Sequence, residues 1–113
     1  MISVKLMFLI INSEGMKTQE SIPDLQEMKR LVGVENESAY IEFVFRQFSD
    51  LSIALVCDDE FVLKNLSPTC RTKQHILCGQ VLVVALRNDG EIQSLTAQQI
   101  EQVKQELQLL ATA

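Results

Sequence analysis

Residues 67 to 80 read SPTCRTKQHILCGQ and hold the side chains of this chain best suited to chemistry: Cys70, His75 and Cys78, with Arg71 and Lys73 between them. Thiolate and imidazole are soft ligands for zinc, and Cys57 would complete a set of four if its strand end came close. The spacing argues against it. Structural zinc sites draw paired ligands from one turn, as Cys-x-x-Cys or His-x-x-x-His, because a pair orders the chain only once. Positions 70, 75 and 78 contain no such pair. Cys78 precedes Gly79 at the mouth of an apolar run, and Cys57 ends an apolar alternation; in both places cysteine serves as a small hydrophobe. For nucleophilic catalysis the candidate is Cys70, beside Arg71 and near His75, but no oxyanion glycine or orienting carboxylate accompanies it in sequence. The expectation is a chain with no catalytic residue, no metal and no cofactor.

The acids Asp58, Asp59 and Glu60 could attract a hard cation. Adjacent residues alternate sides on an extended chain and the spacing of an EF-hand loop is missing, so a solvated turn is expected instead. With Glu35 and Glu37 these acids are also candidates for one continuous acidic face. The four glycines, at 15, 33, 79 and 90, are isolated and form no phosphate-cradling loop. Tyr40, Phe43, Phe45 and Phe48 crowd together, which reads as core packing unless one turns outward as an interface anchor.

The elements that must position these residues follow from periodicity. Ile2, Val4, Leu6, Phe8 and Ile10 alternate, and Met7, Leu9 and Ile11 make the far end apolar on both faces, as in a central strand. Asn12 to Gly15 is a turn and Met16 to Ile22 a returning strand. A short helix is expected after Pro23, with Asp24 and Glu27 as a capping box, Leu25, Met28, Leu31 and Val32 on its apolar face, and Gly33 as its stop. Tyr40 to Phe48 and the run from Leu51 to Cys57 read as strands joined at Phe48-Ser49-Asp50, and Phe61 to Leu63 as the return of a second hairpin. The stretch quoted above is expected to be a loop entering a buried strand, Gln80 to Leu86. A last helix starts at Thr96, capped with Gln99 and stapled by Leu95 and Ile100. Ile100, Val103, Leu107 and Leu110 form its apolar stripe, opposite Glu101, Gln102, Gln105 and Gln108. The fold class is α+β: one domain over residues 1–113, a mostly antiparallel sheet of about five or six strands with two helices packed on one face.

With 113 residues, 47% of them apolar, the chain can fill one core. A formal net charge of -5 repels phosphate backbones, and its scattered basic residues are not interleaved with aromatics, so direct nucleic-acid binding is not expected. The N-terminal apolar run is too short to span a membrane and lacks the flanks of a secretory signal. Three cysteines, an odd number, suit reduced thiols. The expectation is a cytoplasmic protein, monomer or homodimer.

The order of LQEMKRLVG, YIEFV, LVCDDE, LSPTCR, CGQVLVVA and DGEIQSLTAQQIE, from about Leu25 to Glu106, resembles the domain-of-unknown-function family DUF3846. Leu31-Val32-Gly33, Ile41-Glu42, Leu66, Pro68, Arg71, Gly79 and Ser94-Leu95-Thr96 match the family pattern. Asp58 and Cys70 depart from it, each standing where the family favours asparagine. The departure at Cys70 weakens any shared thiol chemistry and leaves Pro68 and Arg71 as loop-shaping or partner-binding residues, with Asp58, Asp59 and Glu60 beside them. The resemblance implies no activity. It implies a mobile-element setting, on plasmids and phages of Gram-positive bacteria, and with the acidic charge it leads to the expectation of a non-enzymatic protein acting by protein contact. An inhibitor of a host defence nuclease of the CRISPR type is the specific form expected. The alternative is a small enzyme or a metal- or ligand-binding protein built on the loop 66–79.

Overall fold

The computed structural model describes residues 5–21, 24–33, 40–60 and 64–110. In chain order the elements are β1 (Leu6–Asn12), β2 (Gly15–Ser21), α1 (Leu25–Val32), β3 (Ile41–Val44), β4 (Ile53–Asp58), β5 (Pro68–Arg71), β6 (Ile76–Cys78), β7 (Val81–Leu86), β8 (Ile92–Gln93), α2 (Ala97–Glu106) and β9 (Gln108–Leu109). They form an α+β fold with two helices and two antiparallel sheets. The larger sheet has the order β2-β1-β7-β4-β3, with β8 added beside β7; the smaller has the order β6-β5-β9.

The centre of the larger sheet is β1, β7 and β4, and its residues are apolar on both sides. Leu9, Ile11, Ile53, Leu55, Cys57, Val81, Val83 and Ala85 point into one core cluster. Phe8, Ile10, Ala54, Val56, Leu82 and Val84 point into another. This alternation follows from the two-residue period of a strand. Strands buried on both faces require cover on both, and the helices divide accordingly. Met28 and Val32 of α1 close the second cluster, whereas Val103 of α2, with Leu95 and Leu107 at its ends, closes the first. The expectation of two helices on one face is thus corrected: they lie on opposite faces, and the double-sided apolar strands are the reason.

The smaller sheet shares the α2 side, where Cys70 and Leu77 join the first cluster. It replaces the expected loop. Residues 67 to 80 form the β5–β6 hairpin, with Cys70 opposite Leu77, Arg71 opposite Ile76, and a register irregularity between Pro68 and Cys70. The third strand is β9, where Cys70 faces Leu109 and Arg71 faces Gln108. Hence α2 stops at Glu106 and the predicted stripe and polar face end early: Leu107 is the C-cap, Gln108 lies in β9, and the Leu110 N–H donates to the Thr69 carbonyl at 3.0 Å. The other end of α2 forms as expected, with both halves of the Thr96–Gln99 capping box present.

One further boundary differs from the sequence reading. β3 ends at Val44, because Arg46 adopts φ 61°, and the chain reaches β4 through an eight-residue connection, 45–52, rather than a tight turn. Gly33 ends α1 as expected, with φ -66°, a conformation open to other residues. Only the Asp24 half of the α1 capping box is present: Asp24 accepts from the Glu27 N–H at 2.8 Å, while the Glu27 carboxylate pairs with Arg30. The expected strand at 61–63, Pro23 and the acids Glu35 and Glu37 lie outside the described residues.

Candidate functional site

Residues directly opposite in antiparallel strands project to the same side of the sheet. The pairings of the small sheet therefore define two rows. Leu77 and Cys70 face inward, with Leu109 beside them at the sheet edge but 42% exposed; Ile76, Arg71 and Gln108 face solvent. Ile76 is 52% exposed, a large apolar side chain held in the open beside the Arg71 guanidinium. Arg71 donates to the Gln108 side-chain carbonyl. Arg71, Thr72, Lys73, Glu106 and Gln108 line a shallow cleft of about 390 Å³. Among the described residues no carboxylate lies within 4.0 Å of Arg71 or Lys73. Glu106 is engaged elsewhere, accepting from the Ser49 N–H at 2.8 Å and the Ser49 hydroxyl at 3.0 Å. The Ser49 N–H holds that carboxyl below the usual range, with smaller help from Lys73.

The β5–β6 turn that carries Lys73 is fixed by a polar network around Gln47, which is 6% exposed. The Gln47 amide nitrogen donates to the Phe45 carbonyl at 3.0 Å, which sets the orientation of the amide. Its oxygen accepts from the Thr72 hydroxyl at 2.6 Å and lies 3.1 Å from His75 Nδ1. An oxygen can only accept, so His75 Nδ1 carries a proton in this arrangement. The Thr72 hydroxyl in turn accepts from the His75 N–H at 3.1 Å, and the Thr72 N–H donates to the His75 carbonyl at 2.9 Å. His75 is thereby a turn residue, its ring tied to the 45–52 connection. No signal in the sequence marked Glu106 or Gln108 as lining one cleft with Arg71, or Gln47 as the partner of Thr72 and His75.

The remaining candidates separate. Cys57 and Cys70 are buried in one apolar cluster, and Cys78 is half-buried. Burial pushes the Cys57 thiol up to about 12, with Glu42 adding to the effect. Burial likewise pushes Cys70 up to about 11. Thiols so shifted remain protonated near neutral pH and are poor nucleophiles. Among the described residues no group of three or more His, Cys, Asp or Glu could hold a metal ion. Asp58 is wholly buried, accepting from the Glu60 N–H at 2.8 Å and from Lys64 Nζ at 2.8 Å. It is thus removed from any acidic face; Asp59 is exposed and Glu60 half-buried. Pro68 is exposed at the start of β5. Gly79 has φ 76°, and an added Cβ there would come within 2.7 Å of Leu66 Cδ1, so this glycine shapes the entry into β7. Phe48 is core, Phe43 stacks on the exposed Phe45 with ring centroids 6.1 Å apart, and Tyr40 is exposed. Among the described residues no helix is long and apolar enough to cross a membrane.

Fold and site together define an α+β domain, clothed by a helix on one face and by a helix with a small sheet on the other, that displays a cationic cleft on that small sheet. The chain belongs to the family described as Domain of unknown function (DUF3846), whose profile matches residues 5–108. That span extends the resemblance back through the β1–β2 hairpin. Comparison with curated proteins and with solved structures gives no match.

Proposed function

We propose that this chain is a non-enzymatic binding protein that acts by protein contact through the outer face of the β6-β5-β9 sheet. The observation that carries the reading is the solvent-facing row of Ile76, Arg71 and Gln108. It combines an exposed apolar side chain with a guanidinium, the pairing of chemistries that anchors interfaces. The groups that first suggested catalysis are meanwhile occupied in holding the fold: two thiols in the core and His75 in a turn. The narrower form of the proposal is an inhibitor of a host defence nuclease, carried by a mobile element. Its support is the net charge of -5, which complements the basic channels of nucleic-acid enzymes.

The test is affinity purification of the tagged chain from a Gram-positive host, in parallel with Ile76→Asp and with Lys17→Asp on β2, an edge strand of the larger sheet. A stoichiometric partner retained by Lys17→Asp and lost by Ile76→Asp is the expected result. Recovery of no stoichiometric partner argues against a binding protein, and equal retention by both variants argues against this face. For the narrower form, expression should protect an incoming plasmid or phage from host nucleases; no protection removes it.

A further inference from the structure

Within a chain of 15 acidic and 10 basic residues, the neighbourhood of Arg71 inverts the overall sign. Arg71 and Lys73 share one cleft. The guanidinium is met by a neutral amide, Gln108; the one acid lining the cleft, Glu106, keeps its charge and turns Oε1 to Ser49, so the lining carries two cations against one anion. A guanidinium presents five N–H donors in a rigid fork, and a single amide oxygen engages only part of them. The rest face solvent at the cleft, because Arg71 is exposed on the outer side of β5. Two of the elements that present these groups are pinned. Thr72 and Gln47 hold the turn that carries Lys73, and the β5–β9 pairing holds Gln108 opposite Arg71.

We infer that this cleft is the anchor of the binding face, and that it receives a single side-chain carboxylate presented by a protein partner, with Ile76 resting on an apolar residue beside it. The inference deepens the proposed function and depends on it for the identity of the partner. Charge complementarity selects the occupant. An Arg fork pairs bidentately with carboxylate, and Lys73 adds a second positive charge within reach of the same group. Phosphate offers the same local chemistry, but nucleic acid brings it as a run of charges that a net -5 field repels. An isolated Asp or Glu on a neutral or basic partner surface meets attraction both locally and at long range.

The probe is the peptide acetyl-Lys-Leu-Glu-Leu-Lys-amide, titrated into the ¹⁵N-labelled chain while the Arg71 Nε–H and the backbone amides of residues 71–76 are followed. A saturable shift confined to these resonances is expected, with affinity falling roughly tenfold when Glu in the peptide is replaced by Gln, as loss of a charge-assisted hydrogen-bond pair predicts. Arg71→Gln should abolish the shifts; Arg71→Lys should retain weak binding; Lys73→Gln should weaken it about threefold, consistent with one partly exposed ion pair. Both residues are exposed, and an unchanged amide spectrum elsewhere establishes that each variant is folded. Equal shifts with the Glu and Gln peptides, or no shift, overturn the inference. So does a stronger response to inorganic phosphate than to the Glu peptide. If the natural partner still binds Arg71→Gln and Lys73→Gln but loses Ile76→Asp, the anchor fails while the binding face stands; peptide binding with no natural partner leaves the anchor and removes the proposed function.

Discussion

The cysteines show how placement decides the chemistry of a residue. Cys57 and Cys70 sit in the same apolar cluster, and their thiols are pushed up to about 12 and about 11 from an ordinary 9.0. In the unfolded chain both would lose their protons near pH 9, so between pH 9 and the folded values the unfolded state binds fewer protons. The sign follows: the stabilisation is complete below pH 9 and is lost as pH rises through that window. Urea unfolding should show stability declining above pH 9 by up to about 1.4 kcal/mol per pH unit for each thiol. Replacing both by alanine should flatten that slope relative to the unsubstituted chain. An identical slope in the doubly substituted chain would refute the assignment. Sequence spacing argued against a zinc site, but it could not separate Asp58 from Asp59. Neighbours in the chain alternate faces, and only the fold decides that Asp58 turns inward to Lys64 while Asp59 meets solvent.

Elements were legible where a local rule agreed with tertiary packing. The capping box of α2 and the double-sided apolar runs of β1 and β7 are of this kind, since each is written in contiguous residues. The failures are equally specific. Leu107 and Leu110 fit a helical period after Ile100 and Val103, yet the chain leaves the helix at Leu107 because β5 offers a pairing partner far away in sequence. β5 and β6, four and three residues long, are too short for alternation to register, and the irregularity at Pro68 breaks what period there is. The placement of the helices on opposite faces gives a direct test. Val32 in α1 and Val103 in α2 are buried in different clusters on either side of the larger sheet. Val32→Ala and Val103→Ala should each destabilise the chain by about 1.5–3 kcal/mol. Because the two share no cluster, the double variant should equal their sum within about 0.5 kcal/mol. A coupling of 1 kcal/mol or more would mean that the two helices share one core.

At the scale of the whole molecule, the charge of the chain and the charge of its candidate site have opposite signs, and their ranges differ. A net charge of -5 acts over a Debye length, roughly 8 Å at physiological ionic strength, and governs which partners approach. The Arg71–Lys73 cleft acts only in contact, where desolvation strengthens it. Composition revealed the first; the second needed the fold, since Arg71, Glu106 and Gln108 meet only when β9 pairs with β5. The hierarchy predicts discrimination between polyanions and single carboxylates. A fluorescein-labelled 20-base-pair DNA should show no change in anisotropy at 150 mM salt up to about 100 μM protein, the weak end of ordinary non-specific DNA binding. Lowering the salt should not rescue binding, because two clustered cations can displace few counterions while fifteen carboxylates oppose approach. Micromolar affinity that falls steeply with salt and is lost in Arg71→Gln would reverse the argument: the cleft would then be the centre of a phosphate-binding surface, and the local charge would have outweighed the global one.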